Sequence, residues 1–297
     1  MFKYLDSPII FFGFGRSGTT IISNIIFEHP KLAWVSNYQE KFPKYPSINL
    51  IRNIQDNSIW RIKKQNHEGN NASLFSKFLF LPGESYSFWN WITKKDFGRN
   101  FFFEECEEDH RNYIRNFCND IVKYQNRERF SFKITGPPRL EYLHSIFPDA
   151  KFVWIKRNPL PNIRSLLKVD FYQDRKQDLW WIGDVYSKKE LNKVENWRNR
   201  PELIAAIQYY KVHQVLDIER NKLKIEENIY QINYEDFVSD SFSEISKLLD
   251  FLKLEFHENV SSYLSDKNIF NSNKKEKFYI SPELDERVLD IATSGIE

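Results

Sequence analysis

The 297-residue chain is poor in sulfur and in flexible hinges: two cysteines, one methionine and nine glycines. Cys106 and Cys118 form neither a closely spaced metal-type pair nor a disulfide framework, which excludes a stapled secreted scaffold and suits a reducing compartment. Long apolar runs are missing too. The stretch from Met1 to Ile10 holds only a few apolar residues before Gly13, too short for a signal core or a membrane span, so a cytoplasmic protein is expected. Net charge of one sign is also absent. With 43 basic against 41 acidic side chains, no overall field draws the molecule to nucleic acid or to an anionic membrane.

What the chain does have is aromatic residues, 16% of the total, with 8 Trp and 26 Phe. They fill a core, or line a site for flat or sugar-like ligands. The length suits one large α/β domain, and residues 1–297 are read as a single domain.

Strand and helix signals alternate at both ends of the chain, the pattern of a parallel sheet covered by helices. Pro8 to Phe12 reads as a buried strand, Thr19 to Phe27 as a helix and Leu32 to Val35 as a second strand. From about 40 to 129 the periodicity weakens, with Pro43, Pro46, Pro82 and Gly83 as punctuation; only Asp109 to Tyr124 is helical, and the stretch is read as an acceptor-binding insertion. Order resumes with strands at Phe130–Ile134 and Lys151–Lys156, around a helix at Arg139–Phe147. A helix from Pro161 to about Lys168 follows, then an irregular aromatic-rich segment at about 170–200 that includes Trp180 and Trp181. The chain closes with a helix at Pro201–Asn221, a strand at Ile229–Ile232, a helix at Ser241–Lys253, a short one after Phe256 and a last one from Pro282.

The most informative segment is Gly13-Phe14-Gly15-Arg16-Ser17-Gly18-Thr19-Thr20, between a strand and a helix. Glycines there let the backbone turn tightly and bring N–H groups against an anion at a helix N-terminus. The bland reading is an ordinary strand-to-helix turn. A nucleoside triphosphatase loop carries lysine just before its closing hydroxyl; here Thr19 holds that place and the cation comes earlier, at Arg16. The segment resembles the 5′-phosphosulfate loop of sulfotransferases that use 3′-phosphoadenosine 5′-phosphosulfate (PAPS). Its Arg-Ser-Gly-Thr-Thr form is similar to that of tyrosylprotein and many bacterial sulfotransferases. The resemblance implies a three-layer P-loop-type α/β fold with a central, mostly parallel sheet, and Gly15, Arg16, Ser17, Gly18, Thr19 and Thr20 as donor-binding residues.

Two further segments carry the resemblance. Lys151-Phe152-Val153-Trp154-Ile155-Lys156-Arg157-Asn158-Pro159 is an apolar strand ending on arginine, with Ser165 on the next helix. A guanidinium at the carboxyl end of a parallel strand faces the crevice where ligands sit in open α/β sheets; alone, it is more often a solvated or salt-bridged residue. It resembles the family's 3′-phosphate motif, which implies that Arg157 and Ser165 hold that phosphate. Ile232-Asn233-Tyr234-Glu235-Asp236-Phe237 is a strand leading into a helix whose carboxylates offset the dipole. Here the resemblance adds Tyr234 against the nucleotide. Lys274, Lys275 and Lys277 form a basic cluster that closes over the 3′-phosphate or is simply a solvated run.

Sulfonate transfer needs an in-line attack and positive groups around a departing phosphate. Arg16 is the expected stabiliser, no metal is expected, and the product would be adenosine 3′,5′-bisphosphate (PAP). Lys133, ending the strand before the 3′-phosphate strand, is similar in place to a lysine that relatives use near the bridging oxygen; otherwise it is a surface lysine. For the base, Glu40 lies roughly where tyrosylprotein sulfotransferases carry a glutamate, although Asn37 falls at the matching distance from Arg16. His144 is the rival base and His29 ends the first helix. The expected acceptor is a hydroxyl, with a glycan or glycolipid preferred over a protein tyrosine or a small molecule. The competing classes are a P-loop kinase, which should place an Asp at a strand end for magnesium, and a non-catalytic nucleotide- or carbohydrate-binding protein.

Overall fold

The computed structural model describes residues 5–56, 78–98, 103–173, 179, 185–266 and 281–296. Strand β1 (Ile9–Gly13) is buried at every position and occupies the middle of a five-stranded sheet. Its neighbours are β2 (Leu32–Trp34), β3 (Arg129–Lys133), β4 (Lys151–Lys156) and β5 (Ile229–Asn233), in the order β2-β3-β1-β4-β5. Every pairing is parallel: Ile9 lies opposite Ser131 in β3 and Lys151 in β4. A sheet of this kind is covered on both faces, so its strands read as continuous apolar runs.

Successive side chains point to opposite faces. Ile10, Phe12, Phe130, Phe132 and Phe152 meet the helices Glu108–Tyr124 and Leu140–Ile146 through Ile114, Cys118, Ile121 and Leu143. Ile9, Phe11, Val153 and Ile155 meet Thr19–Phe27 and Ser241–Leu252 through Ile22, Ile26, Ile245 and Leu248. A third cluster joins Phe14 to the helices Pro159–Leu166, Pro201–Leu223 and Pro282–Ser294. Cys106 and Cys118 are buried free thiols, and burial pushes the Cys118 thiol up. No described helix is long and apolar enough to cross a membrane.

The expected strands and long helices appear within one to three residues of their sequence-read ends. Helices the periodicity does not reveal also appear. Between residues 37 and 93 these include Asn37–Lys41, Ile51–Gln55 and Tyr86–Thr93, the last burying Phe88, Trp89 and Ile92 in the main core. Lys188–Asn196 is a further helix, started by a capping box of Ser187 and Glu190. Trp180, Trp181 and the lysines 274, 275 and 277 lie outside the described residues.

The edge strand β2 is finished by side-chain amides. Gln125 accepts from the Trp34 N–H (3.2 Å) and donates to the Trp34 carbonyl (2.7 Å), its amide also meeting Asn49 and Arg52. Just past β2, Asn37 does the same for the passing chain, donating to the Leu79 carbonyl and accepting from the Leu81 N–H. Each spares the edge an unpaired backbone group.

Candidate active site

The phosphate loop leaves β1 at the centre of the sheet, where parallel strands open a crevice at their carboxyl ends. Two residues take left-handed backbone conformations, Arg16 at φ 70° and Gly18 at φ 99°. Non-glycine residues seldom sit there, and such strain gathers at binding sites. Glycine at 18 is required twice over, since a Cβ would also come within 2.5 Å of the Tyr234 ring. At Gly13 a Cβ would strike the Ile155 carbonyl oxygen at 2.5 Å. The loop is closed by the Ser17 N–H donating to the Phe14 carbonyl and by a 3.0 Å contact between the Ser17 and Thr19 hydroxyls.

The side chains of Arg16 and Thr20 are exposed, while Gly15, Ser17 and Thr19 are buried. Gly18 is the N-cap of the helix Thr19–Phe27, and no side chain caps that terminus. Its N–H groups and dipole are thus directed at the crevice, ready for an anion.

The second segment meets the first directly. Arg157, only 4% exposed, donates from Nη1 to the Arg16 carbonyl at 2.8 Å, and its guanidinium lies over the Tyr234 ring at 4.7 Å. Arg16 Nε donates to Ser165 Oγ at 3.2 Å. Tyr209 supports the cluster from below, its hydroxyl donating to the Arg157 carbonyl at 2.7 Å. Arg16, Gly18, Arg157, Ser165 and Tyr234, read from three separate stretches of sequence, therefore share one crevice. Sequence reasoning missed Tyr209, which lies on the long helix Pro201–Leu223 with no motif to mark it.

On the other side of β1, Lys133 donates to Thr20 Oγ1 at 3.1 Å from the end of β3. It is 5% exposed, so it is not the surface lysine of the bland reading. Thr135 and Gly136 continue past it, and the Gly136 N–H donates to the Gly13 carbonyl at 3.0 Å.

Glu40 lies on the helix Asn37–Lys41, and both of its oxygens accept from Ser87: from the backbone N–H at 2.9 Å and from the hydroxyl at 2.5 Å. It caps the first turn of Tyr86–Thr93. Asn37, at the matching distance from Arg16, is occupied by Leu79 and Leu81. His144 is half-buried on Leu140–Ile146, where burial lowers its pKa. His29 is buried at the end of the first helix; burial, and then the charge of His257, lower its pKa. Among the described residues no three His, Cys, Asp or Glu side chains gather as a metal set.

Residues 8–258 match the family model described as a sulfotransferase family. The fold is similar to that of sulfotransferase STF9 from Mycobacterium avium, with a TM-score of 0.55 and 15% identity over 99% of this chain and 78% of that one. It is also similar to sulfotransferase STF1 from Mycobacterium tuberculosis H37Rv, with a TM-score of 0.51 and 14% identity over 96% of this chain and 77% of that one. At such identities the likeness is one of fold. No curated protein matches the sequence.

Proposed function

The chain belongs to the sulfotransferase family, and from that premise we propose that it transfers a sulfonate group from PAPS to a hydroxyl of a carbohydrate or glycolipid, releasing PAP. The observation that carries the reading is the joining of two anion sites in one crevice: Arg157 holds the Arg16 carbonyl while Arg16 reaches Ser165. A ligand with anions at both ends of one ribose suits such a pair.

In this reading the exposed Arg16, the N–H groups of Ser17 to Thr20 and their hydroxyls hold the 5′-phosphosulfate. Arg157 and Ser165 hold the 3′-phosphate, and Tyr234 lies against the nucleotide. Lys133, tied to Thr20, faces the oxygen that bridges sulfur and phosphorus and stabilises the charge that builds there as the S–O bond breaks. Positioning and electrostatics supply most of the barrier lowering, because the sulfonate, like a phosphoryl group, is transferred with charge spread over its equatorial oxygens while PAP leaves.

Thermal unfolding tests the donor. A ligand bound only by the native state raises the melting temperature, so PAP should stabilise the protein and ATP with magnesium should not. Stabilisation by ATP-magnesium alone would overturn the proposal. Transfer of radiolabel from [35S]PAPS to a panel of glycans, glycolipids, phenols and tyrosine peptides then identifies the acceptor.

A further inference from the structure

The acceptor's proton needs a base, and the segment Leu81–Ser85 brings a carboxylate that the periodicity does not reveal. This segment crosses the carboxyl end of β2. The Gly83 N–H donates to the Val35 carbonyl, Ser36 and Pro82 form an antiparallel bridge, and the Ser85 hydroxyl donates to the Ser36 carbonyl. Glu84 is thereby set over the carboxyl end of β3. There Thr135 donates its hydroxyl to Glu84 Oε2 at 2.9 Å.

Thr135 is itself fixed. Its N–H donates to the Tyr86 hydroxyl at 3.0 Å, and the same hydroxyl lies 3.1 Å from Thr135 Oγ1. The chain of bonds thus runs from Tyr86 through Thr135 to Glu84. On one side of Thr135 stands Lys133, bonded to Thr20 of the phosphate loop; on the other is Gly136, bonded to Gly13 at the loop's start. Glu84 is therefore one side-chain hydrogen bond away from the segment that carries Lys133 and closes on the phosphate loop.

Its other oxygen, Oε1, has no hydrogen-bond partner among the described residues, and the residue is half-exposed. Beneath it Arg139 is 1% exposed, and its positive charge acts on both Glu84 and Tyr86. The Tyr86 phenol is pushed up by burial and then by the charge of Glu84, so it stays a neutral donor to the Thr135 carbonyl at 3.0 Å. One oxygen held, one open and a fixed orientation are what a general base requires. Glu40 is held as firmly but lacks the open oxygen, because Ser87 takes both of its oxygens.

We propose that Glu84 is the catalytic base, a role that rests on the sulfotransferase reading above. The acceptor hydroxyl gives its proton to Glu84 Oε1 as its oxygen bonds to sulfur. The bond from sulfur to the 5′-phosphate oxygen breaks, and its electron pair stays on that oxygen beside Lys133 and Arg16. Glu84 then returns the proton to solvent.

The test compares Glu84→Gln, Glu84→Asp and Glu40→Gln with the unaltered protein, using [35S]PAPS with octyl β-glucoside as acceptor and with water alone. General-base removal costs on the order of 100-fold or more in turnover. Glu84→Gln should therefore lose at least that much and flatten the acid limb of the kcat–pH profile, with the PAP-induced rise in melting temperature unchanged. Glu84→Asp should keep the acid limb, and Glu40→Gln should stay within about threefold of the parent, as expected of a helix cap. A Glu84→Gln rate within threefold of the parent, or loss of the acid limb in Glu40→Gln instead, overturns the assignment. If neither acceptor turns over, the crystal structure with PAP decides. Glu84 Oε1 must lie within about 8 Å of a 5′-phosphate oxygen, the span of an acceptor oxygen and a sulfonate between them; a longer separation rejects it. Absence of any PAP shift in the parent would instead refute the donor reading, a distinct failure.

Discussion

Arg157 divides its guanidinium between the Arg16 carbonyl and the face of Tyr234 while remaining almost wholly buried. Replacing it with alanine removes a charge-assisted donor worth roughly 1.5–3 kcal/mol. We expect Arg157→Ala to weaken PAP binding by roughly 10- to 150-fold in titration calorimetry. Adenosine 5′-phosphate, which lacks the 3′ group, should lose less than about threefold; equal losses for the two ligands would refute the role of Arg157 at the 3′ end. Residues of this kind were legible because each sits in a short motif: Arg16 and Gly18 in the glycine loop, Arg157 at a strand end, Tyr234 before paired carboxylates. Glu84 was not legible, since its place depends on a contact with Thr135, 51 positions away. Neighbouring residues carry no trace of such a contact.

Among the elements, β2 is three residues long and lies at the edge of the sheet, so its stability rests on side chains outside it. Gln125 bonds both backbone groups of Trp34 and also meets Asn49 and Arg52, all in the buried interior. Substitution by leucine strands several of these partners, each at about 1–3 kcal/mol if left unpaired. Gln125→Leu should cost about 3 kcal/mol and lower the melting temperature by roughly 5 °C in calorimetry; a change under about 1 °C would contradict this account of the edge. Strands β1 and β4 could be read from sequence because continuous burial leaves an unbroken apolar run. The helix Tyr86–Thr93 could not: it has only eight residues, it follows Ser85 in a left-handed conformation whose own side chain does not cap it, and the carboxylate that caps its first turn comes from Glu40, far off in sequence. Its helicity comes from burial of Phe88, Trp89 and Ile92, not from local preference. Lys188–Asn196 did carry a start signal, Ser187 with Glu190 three positions on, which the surrounding aromatic residues obscured.

For the molecule as a whole, the three apolar clusters surround a few ionisable groups whose state couples folding to pH. Glu219 is 1% exposed, and its carboxylate accepts from the Leu140 N–H at the head of Leu140–Ile146. Burial pushes its pKa up from the ordinary 4.5 to about 7. The folded state then holds this proton more tightly than the unfolded chain, so the stability drawn from Glu219 falls as pH rises from 4.5 to 7 and is level above that. The difference amounts to roughly 3 kcal/mol. His213 acts in the opposite sense, since burial lowers it to about 4 and the unfolded chain binds its proton up to the ordinary 6.5. Glu219→Gln isolates the first effect. Relative to the parent, the variant should gain stability between pH 5 and pH 7.5 in urea titrations, and parallel pH curves for the two proteins would show that the carboxyl is not buried as described.

The bond from Arg157 to the Arg16 carbonyl ties the end of β4 to the loop that leaves β1. On the donor reading proposed above, it sets the distance between the two anion cradles as a gauge by which the pocket measures its ligand. An isomer with its phosphates on the 2′ and 5′ positions offers the same charge at another spacing, and such a gauge discriminates against it by length alone.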